Sequence, residues 1–226
     1  HEGKCFMSSS NVGLSLVVLR NVPLFSGLDE TELERLSRVA TRRRAGRGDQ
    51  VVRAGESADA LLILLTGRAK VTNFDEEGRE IILAWLGPGE FFGEMGLIDG
   101  SPRSASVVAV ENCELLSIGK NEFQRCMQEN FQVVLKLMQI LVRRLREADR
   151  NIESLALLDV YGRVARLLLD MSEEEGGKRM VKHKISKQDM ARMIGASREM
   201  VSKVMRDLEV GGYIISEGDQ ITITGA

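Results

Sequence analysis

The chain has 226 residues, enough for one large domain or two modest ones, and 43% of them are hydrophobic, so it can bury substantial cores. Charged residues make up 28% of the chain and balance to a net charge of −2, so any basic surface for a nucleic acid must be local. Its apolar runs fall short of the roughly 20 residues that a membrane-spanning helix needs. With no signal peptide recognised either, we expect a cytoplasmic protein without a membrane partner.

Cysteine and histidine usage argues against disulfide, metal and redox sites. The three cysteines, Cys5, Cys113 and Cys126, are scattered and lack CxxC spacing, which is typical of reduced cytosolic thiols. The two histidines, His1 and His183, do not cluster with them, so we expect no zinc, haem or other metal site. The sequence also lacks a nucleophile–base–acid set and a P-loop, and we therefore expect that it is not an enzyme.

Residues 20–120 have the pattern of an all-β domain. A short helix is predicted first, over 29–39, with Leu33 and Leu36 on one face and acidic residues in its first turn. Short apolar runs separated by glycine-containing turns follow, and they predict a barrel, sandwich or roll. The predicted strands cover residues 50–53, 61–65, 69–74, 81–86, 106–110 and 114–118.

Residues 121–156 contain neither Gly nor Pro and predict helix. Apolar residues recur there at alternating spacings of four and three, and the opposite face is rich in charge. This seam consists of Val134, Met138, Leu141, Leu145, Ala148, Ile152 and Leu155. A helix packed on its own domain also shows one apolar face. A narrow apolar seam with a charged opposite face favours a parallel homodimer instead.

Residues 157–226 predict a winged helix-turn-helix. The predicted helices cover 160–171, 187–194 and 198–210, and the predicted strands cover 213–216 and 220–224. Gly195 lies in the turn between the last two helices, and Ser197 can cap the second of them. Glu217-Gly218-Asp219 is a hairpin turn signal between the two strands, which supplies the wing.

The same region holds a local excess of positive charge. Between residues 178 and 206 the basic residues are Lys178, Arg179, Lys182, Lys184, Lys187, Arg192, Arg198, Lys203 and Arg206, against the acids Asp189 and Glu199. Attraction to phosphates is the sequence-independent part of DNA affinity, so this excess on a helix-turn-helix favours double-stranded DNA over an ordinary solvated face. Recognition helices read bases near their N-terminus, so the expected contacts are Lys187, Ser197, Arg198, Glu199, Ser202 and Lys203.

A candidate anion site follows the predicted strand at 81–86. Gly93 precedes Glu94, where a short helical turn can begin with exposed backbone N–H groups that hold an anion. Arg103 can pair with a phosphate through two hydrogen bonds, Ser104 adds a hydroxyl, and Glu94 can accept from a ribose hydroxyl. A Glu94–Arg103 ion pair in a turn region is the purely structural alternative.

Three blocks of the chain, in order, resemble the Crp/Fnr family of transcription regulators. Gly93-Glu94-Met95-Gly96-Leu97 followed by Arg103-Ser104-Ala105 resembles the phosphate-binding cassette of cyclic-nucleotide-binding domains. Residues 155–163 resemble the hinge after the family's dimer helix, and residues 195–201 resemble the start of its recognition helix. The similarity runs from about residue 23 to residue 226. Members of this family bind DNA through a helix-turn-helix.

The resemblance implies an α+β protein in three parts. These are a cyclic-nucleotide-binding β-roll over 20–120, a dimerisation helix over 121–156 and a winged helix-turn-helix over 157–226. It implies an allosteric regulator that binds a pseudo-palindromic operator as a homodimer, with RNA polymerase as a further partner. Its effector would be held by Gly93, Glu94, Met95, Arg103 and Ser104, with Arg103 neutralising the cyclic phosphate and Glu94 taking the ribose hydroxyl.

The sequence departs from the family's pattern at two places. Lys203 stands where the family usually has arginine, so a donor to guanine remains but the two-pronged geometry is lost. Cyclic-AMP receptors similar to this chain carry adjacent Thr and Ser on the dimer helix, where this chain has Ala148 and Asp149. Aspartate is an acceptor, and guanine offers donors at N1 and N2.

The identity of the effector therefore stays open at this point. Arg146 and Asp149 match an RxxD pattern that resembles several cyclic di-GMP sites, although an i,i+3 surface ion pair gives the same pattern. The sequence supports a guanine messenger (cyclic di-GMP or cyclic GMP) and cyclic AMP equally as the effector. A ligand-independent DNA-binding dimer with a relic effector pocket is the remaining alternative.

Overall fold

The computed structural model describes residues 16–181, 185–218 and 220–224. Contacts divide them into two units. The first unit holds the described residues up to Asn73 together with Leu83–Arg143. The second holds Phe74–Ile82 and the described residues from Arg144 onward. Six of the residues named above lie outside the described residues: His1, Cys5, Lys182, His183, Lys184 and Asp219.

Two four-stranded antiparallel sheets dominate the N-terminal half, as the glycine-punctuated apolar runs predict. Their strands are β1 (Thr41–Ala45), β2 (Gln50–Val52), β3 (Ala60–Thr66), β4 (Ala69–Phe74), β5 (Glu80–Leu86), β6 (Phe91–Phe92), β7 (Ser106–Ala109) and β8 (Cys113–Gly119). One sheet has the order β1-β8-β3-β6 and the other β2-β7-β4-β5. Residues Ala60–Leu64 of β3 are all buried, which explains why this strand reads as an unbroken apolar run.

Helices precede, interrupt and follow these strands. They are α1 (Glu30–Val39), α2 (Glu94–Asp99), α3 (Lys120–Glu129) and α4 (Phe131–Leu157). The helix α1 begins at a capping box, in which Asp29 accepts from the backbone N–H of Glu32 and the Glu32 carboxylate accepts from that of Asp29. Leu33 and Leu36 of α1 are buried, as predicted.

The segment 121–156 divides into two helices. Asn130 separates α3 from α4 with an extended backbone, φ −132° and ψ 95°. The first half of α4 buries Val133, Leu137 and Ile140, at spacings of four and three, in the same core as Leu61 and Phe123. The helix thus has an apolar stripe that packs within the first unit, in addition to the predicted seam.

The predicted seam lies on a second, largely exposed stripe of α4. Met138, Leu145, Ala148, Ile152 and Leu155 are exposed, and Val134 and Leu141 are half-buried. Exposed apolar side chains at this spacing are the pattern of a helix that packs against another chain.

The C-terminal helices follow the predicted boundaries closely. They are α5 (Val160–Asp170), α6 (Lys187–Ile194) and α7 (Arg198–Val210). Asp159 caps α5 by accepting from the backbone N–H of Gly162 at 2.8 Å. Gly195 ends α6 in the left-handed region, φ 62°, which explains why glycine stands in the turn.

The wing is a four-stranded sheet. Its strands are β9 (Glu173–Glu175), β10 (Lys178–Val181), β11 (Ile214–Glu217) and β12 (Gln220–Ile223), and their order in the sheet is β11-β12-β10-β9. The sequence predicts only the last two, because β9 is a run of three glutamates without any apolar residue.

Within the described residues, no helix combines the length and the apolar character that crossing a membrane requires. No group of three or more His, Cys, Asp or Glu side chains suited to a metal ion occurs in residues 16–181, 185–218 and 220–224. Cys113 and Cys126 are separate buried thiols, and burial raises the pKa of Cys126 to about 11.

Candidate functional sites

Arg103 is the buried cation of the predicted anion site. Its residue surface is 6% exposed, and its guanidinium donates to two backbone carbonyls at 2.8 Å, from Nη1 to Gly93 and from Nη2 to Ala60. Its own backbone N–H donates to the carbonyl of Glu56, and its carbonyl accepts from the N–H of Gly55, both at 2.8 Å. The side chain therefore lies in one place because three chain segments hold it.

The guanidinium of Arg103 also has a weak contact with a carboxylate. Nη2 lies 3.4 Å from Oδ1 of Asp59, whose side chain is 76% exposed. Charge-assisted contacts of this type are normally 2.7–2.9 Å, so this contact is loose. A buried cation with carbonyl contacts and one loose carboxylate is well suited to receive an anion, because burial strengthens the attraction between them.

A cavity of about 300 Å³ adjoins this guanidinium in the first unit. It is lined by Arg43, Val51, Val52, Glu56, Ser57, Asp59, Leu62 and Arg103. Its size is at the lower end of the range for small-molecule sites. Arg43 and Asp59 were not predicted as site residues, since neither belongs to a recognisable motif.

Gly93 sits where a side chain would displace Arg103. It is the N-cap of α2 in the left-handed region, φ 84°, and a Cβ built on it would lie 1.9 Å from Nη1 of Arg103. The expected short helix at Glu94 is present as α2. Glycine is therefore required here for both its backbone conformation and its lack of a side chain.

The other predicted effector residues lie in different environments. Glu94 is buried, at 2% exposure, whereas Met95 and Ser104 are exposed and close to each other, with Ser104 Oγ 3.8 Å from Met95 Sδ. Arg146 and Asp149 lie on exposed turns of α4, among the residues of the second unit.

The helix-turn-helix presents the predicted DNA contacts to solvent. Ser197 caps α7 by accepting from the backbone N–H of Met200 at 3.2 Å, and α7 buries Val201, Val204 and Met205. Lys187, Ser197, Arg198, Glu199 and Lys203 are exposed, and Ser202 is half-buried. Arg206 is also exposed, one turn beyond Ser202, and adds a cation to the same side of the helix.

Part of the basic patch lies opposite acidic residues of the unpredicted strand β9. In the β9–β10 register Lys178 pairs with Glu175 and Arg179 with Glu174. Opposite charges directly across a strand pair attract, so these two cations are less available to phosphates than the sequence suggests. Lys187 of α6 and the cations of α7 therefore carry most of the expected attraction to DNA.

Tyr161 links α5 to the recognition helix. Its hydroxyl donates to the carboxylate of Asp207 on α7, and this hydrogen bond raises the pKa of Tyr161. No sequence motif indicates this contact.

Comparison with known proteins identifies both halves of the chain. The family described as Cyclic nucleotide-binding domain matches residues 42–130, and the Crp-like helix-turn-helix domain matches residues 162–225. A CRP-like cAMP-activated global transcriptional regulator of Mycobacterium tuberculosis is 30% identical over 211 residues, covering 92% of this chain and 94% of the relative. The chain belongs to the Crp/Fnr family.

Further members of the Crp/Fnr family show the same likeness. The cAMP-activated global transcriptional regulator CRP of Haemophilus influenzae is 36% identical over 180 residues, covering 78% of this chain and 80% of the relative. The c-di-GMP responsive global regulator CLP of Xanthomonas campestris superposes with a TM-score of 0.73 at 29% identity, covering 88% of this chain and all of the other. These relatives include proteins named for either messenger. The chain is accordingly a transcription regulator with a cyclic-nucleotide-binding domain and a DNA-binding domain.

Substituting Gly93 by alanine tests the packing of Arg103. We expect Gly93→Ala to lose about 1–2 kcal/mol from left-handed strain and roughly 1.5–3 kcal/mol more from the displaced guanidinium. Gly89→Ala is the matched control, because Gly89 has φ 85° but its Cβ would meet nothing within 4 Å. Urea unfolding of the two variants without ligand measures the difference. Equal losses would show that Arg103 is not held as described.

Proposed function

We propose that this regulator binds a cyclic nucleotide in its first unit and that the bound ligand controls its affinity for an operator. The supporting observation is Arg103, a buried guanidinium beside a cavity, with Asp59 as a loose partner at 3.4 Å. A cyclic phosphate would replace Asp59 as its counter-charge. The backbone N–H groups at the start of α2 and the hydroxyl of Ser104 would complete the cradle, and Glu94 would accept from the ribose.

The proposal also includes which base the effector carries. Ala148 cannot hydrogen-bond, and Asp149 is an acceptor suited to the donors of guanine. With Arg146 as a donor to guanine O6 and N7, the pair favours a guanine messenger such as cyclic di-GMP. Cyclic AMP remains the competing effector, since several relatives of this chain are named for it.

We further propose that the chain works as a homodimer through the exposed stripe of α4 and reads DNA with α7. Arg198, Glu199 and Lys203 would contact base edges, and Lys187, Ser197 and Ser202 would support them. Two recognition helices must meet half-sites roughly 34–36 Å apart, so a ligand that shifts the hinge at 155–160 would change operator affinity.

Calorimetric titration with cyclic AMP, cyclic GMP and cyclic di-GMP tests the effector. We expect a guanine nucleotide to bind wild type, to bind Asp149→Ala at least tenfold more weakly because an acceptor for N1 and N2 is gone, and not to bind Arg103→Ala. Glu153→Ala, which removes an exposed acid one turn further along α4, is the matched control.

Two other outcomes would redirect the proposal. Binding of cyclic AMP alone, indifferent to Asp149, would make the chain a cyclic-AMP receptor with an altered base contact. Binding of none of the three nucleotides would leave the ligand-independent DNA-binding dimer.

Substituting Arg198 by alanine tests whether the recognition helix reads bases. We expect Arg198→Ala to lose about 1–3 kcal/mol of discrimination between an operator selected from a random DNA pool and a scrambled duplex. Non-specific affinity should fall much less, because the remaining cations still attract phosphates. Fluorescence anisotropy on both duplexes at fixed salt measures the ratio. Arg206→Ala, an equal change of charge on the same helix, serves as the control, and equal losses on both duplexes in Arg198→Ala would argue against base reading.

A further inference from the structure

The tip of the β4–β5 hairpin belongs to the second unit, with the helix-turn-helix. Its turn is closed by Asp75, whose carboxylate accepts from the backbone N–H groups of Glu77 at 2.9 Å and Arg79 at 2.8 Å. Arg79 Nε donates to the same carboxylate at 2.6 Å, and this hydrogen bond lowers the pKa of Asp75. These contacts restrain the turn up to Arg79, the residue before Glu80.

Glu80 forms an ion pair with Arg192, a residue of α6. Its Oε2 lies 2.6 Å from Arg192 Nη1, and only 11% of the Glu80 side chain and 32% of the Arg192 side chain are exposed. Solvent screens such a pair less than it screens a surface pair such as Arg20–Glu30, in which more than half of each side chain is exposed. The Glu80–Arg192 contact can therefore influence where α6 lies.

Polar contacts continue from Arg192 to the start of α6. Nη1 lies 3.5 Å from Oδ1 of Asp189, and Oδ2 of Asp189 accepts from the hydroxyl of Ser186, the N-cap, at 2.8 Å. Buried Met190, Ala191 and Ile194 hold the apolar side of the same helix. The helix thus contacts the core on one side and the hairpin carboxylate through Arg192.

We propose that Glu80 is a positioning residue for DNA binding, which places α6, and with it the recognition helix α7, through Arg192. The inference rests on DNA binding by these two helices and adds that a strand residue outside the helix-turn-helix sets their placement. Charge alone predicts the opposite effect, because removing a carboxylate near a DNA-binding helix raises its attraction for phosphates. The sign of the change in affinity therefore separates positioning from simple electrostatics.

The experiment compares Glu80→Gln with Glu77→Gln in the full chain. Both remove one negative charge from the same hairpin, but Glu77 is 71% exposed and pairs with Arg79. We expect Glu80→Gln to bind a selected operator roughly tenfold more weakly at fixed salt, and Glu77→Gln to bind as tightly as wild type or slightly more tightly. The reversed pair, Glu80→Arg with Arg192→Glu, should recover most of the affinity that Arg192→Glu alone loses.

Hydrogen exchange of the free protein gives a readout without DNA. The amides of 187–194 should exchange several-fold faster in Glu80→Gln than in wild type, and at the wild-type rate in Glu77→Gln. Unchanged or tighter operator binding by Glu80→Gln, or no recovery in the reversed pair, would overturn the proposal. If the wild type bound no DNA, the proposed function would fail, and the exchange rates alone would decide whether Glu80 holds α6.

Discussion

A buried guanidinium must be satisfied on all sides, and at Arg103 this requirement fixes the geometry of the first unit's site. Leaving such a cation without partners costs several kcal/mol, so the segments that supply its carbonyl acceptors, at Gly93 and Ala60, must stay where they are. Gly93 must remain glycine because a Cβ would occupy the position of the guanidinium. Carbonyls do not neutralise the charge and Asp59 does so only loosely, so the proposed effector phosphate would supply the missing counter-charge.

Two polar contacts reach the helix-turn-helix of the second unit from outside it. Glu80 pairs with Arg192 on α6, and Tyr161 donates to Asp207 on α7. Both contacts come from outside the helix-turn-helix, one from a strand hairpin and one from the helix that follows the hinge. Under the proposed ligand control, a shift of either contacting element would shift the helix-turn-helix with it.

Local sequence signals predicted the elements that depend on local chemistry. The helix α7 matches its predicted range because Ser197 caps it and Gly211 follows its last residue, and the family blocks located Gly93 and Arg103. The strand β1 was missed because three consecutive arginines hide its pairing with β8. The core stripe of α4 was missed because its residues interleave with those of the seam. The contacts of Asp59 and Glu80 join residues that are far apart in the sequence, so no local pattern could reveal them.

Ligand control of DNA binding is the central claim, and an operator mobility shift at fixed salt tests it most directly. An operator selected from a random pool is titrated with the wild-type protein, alone and with cyclic AMP, cyclic GMP or cyclic di-GMP at saturating concentration. We expect one nucleotide to change operator affinity by about 5–150-fold, and Arg103→Ala to bind the operator without responding to any nucleotide. Equal affinity of the wild type with and without every nucleotide would contradict it.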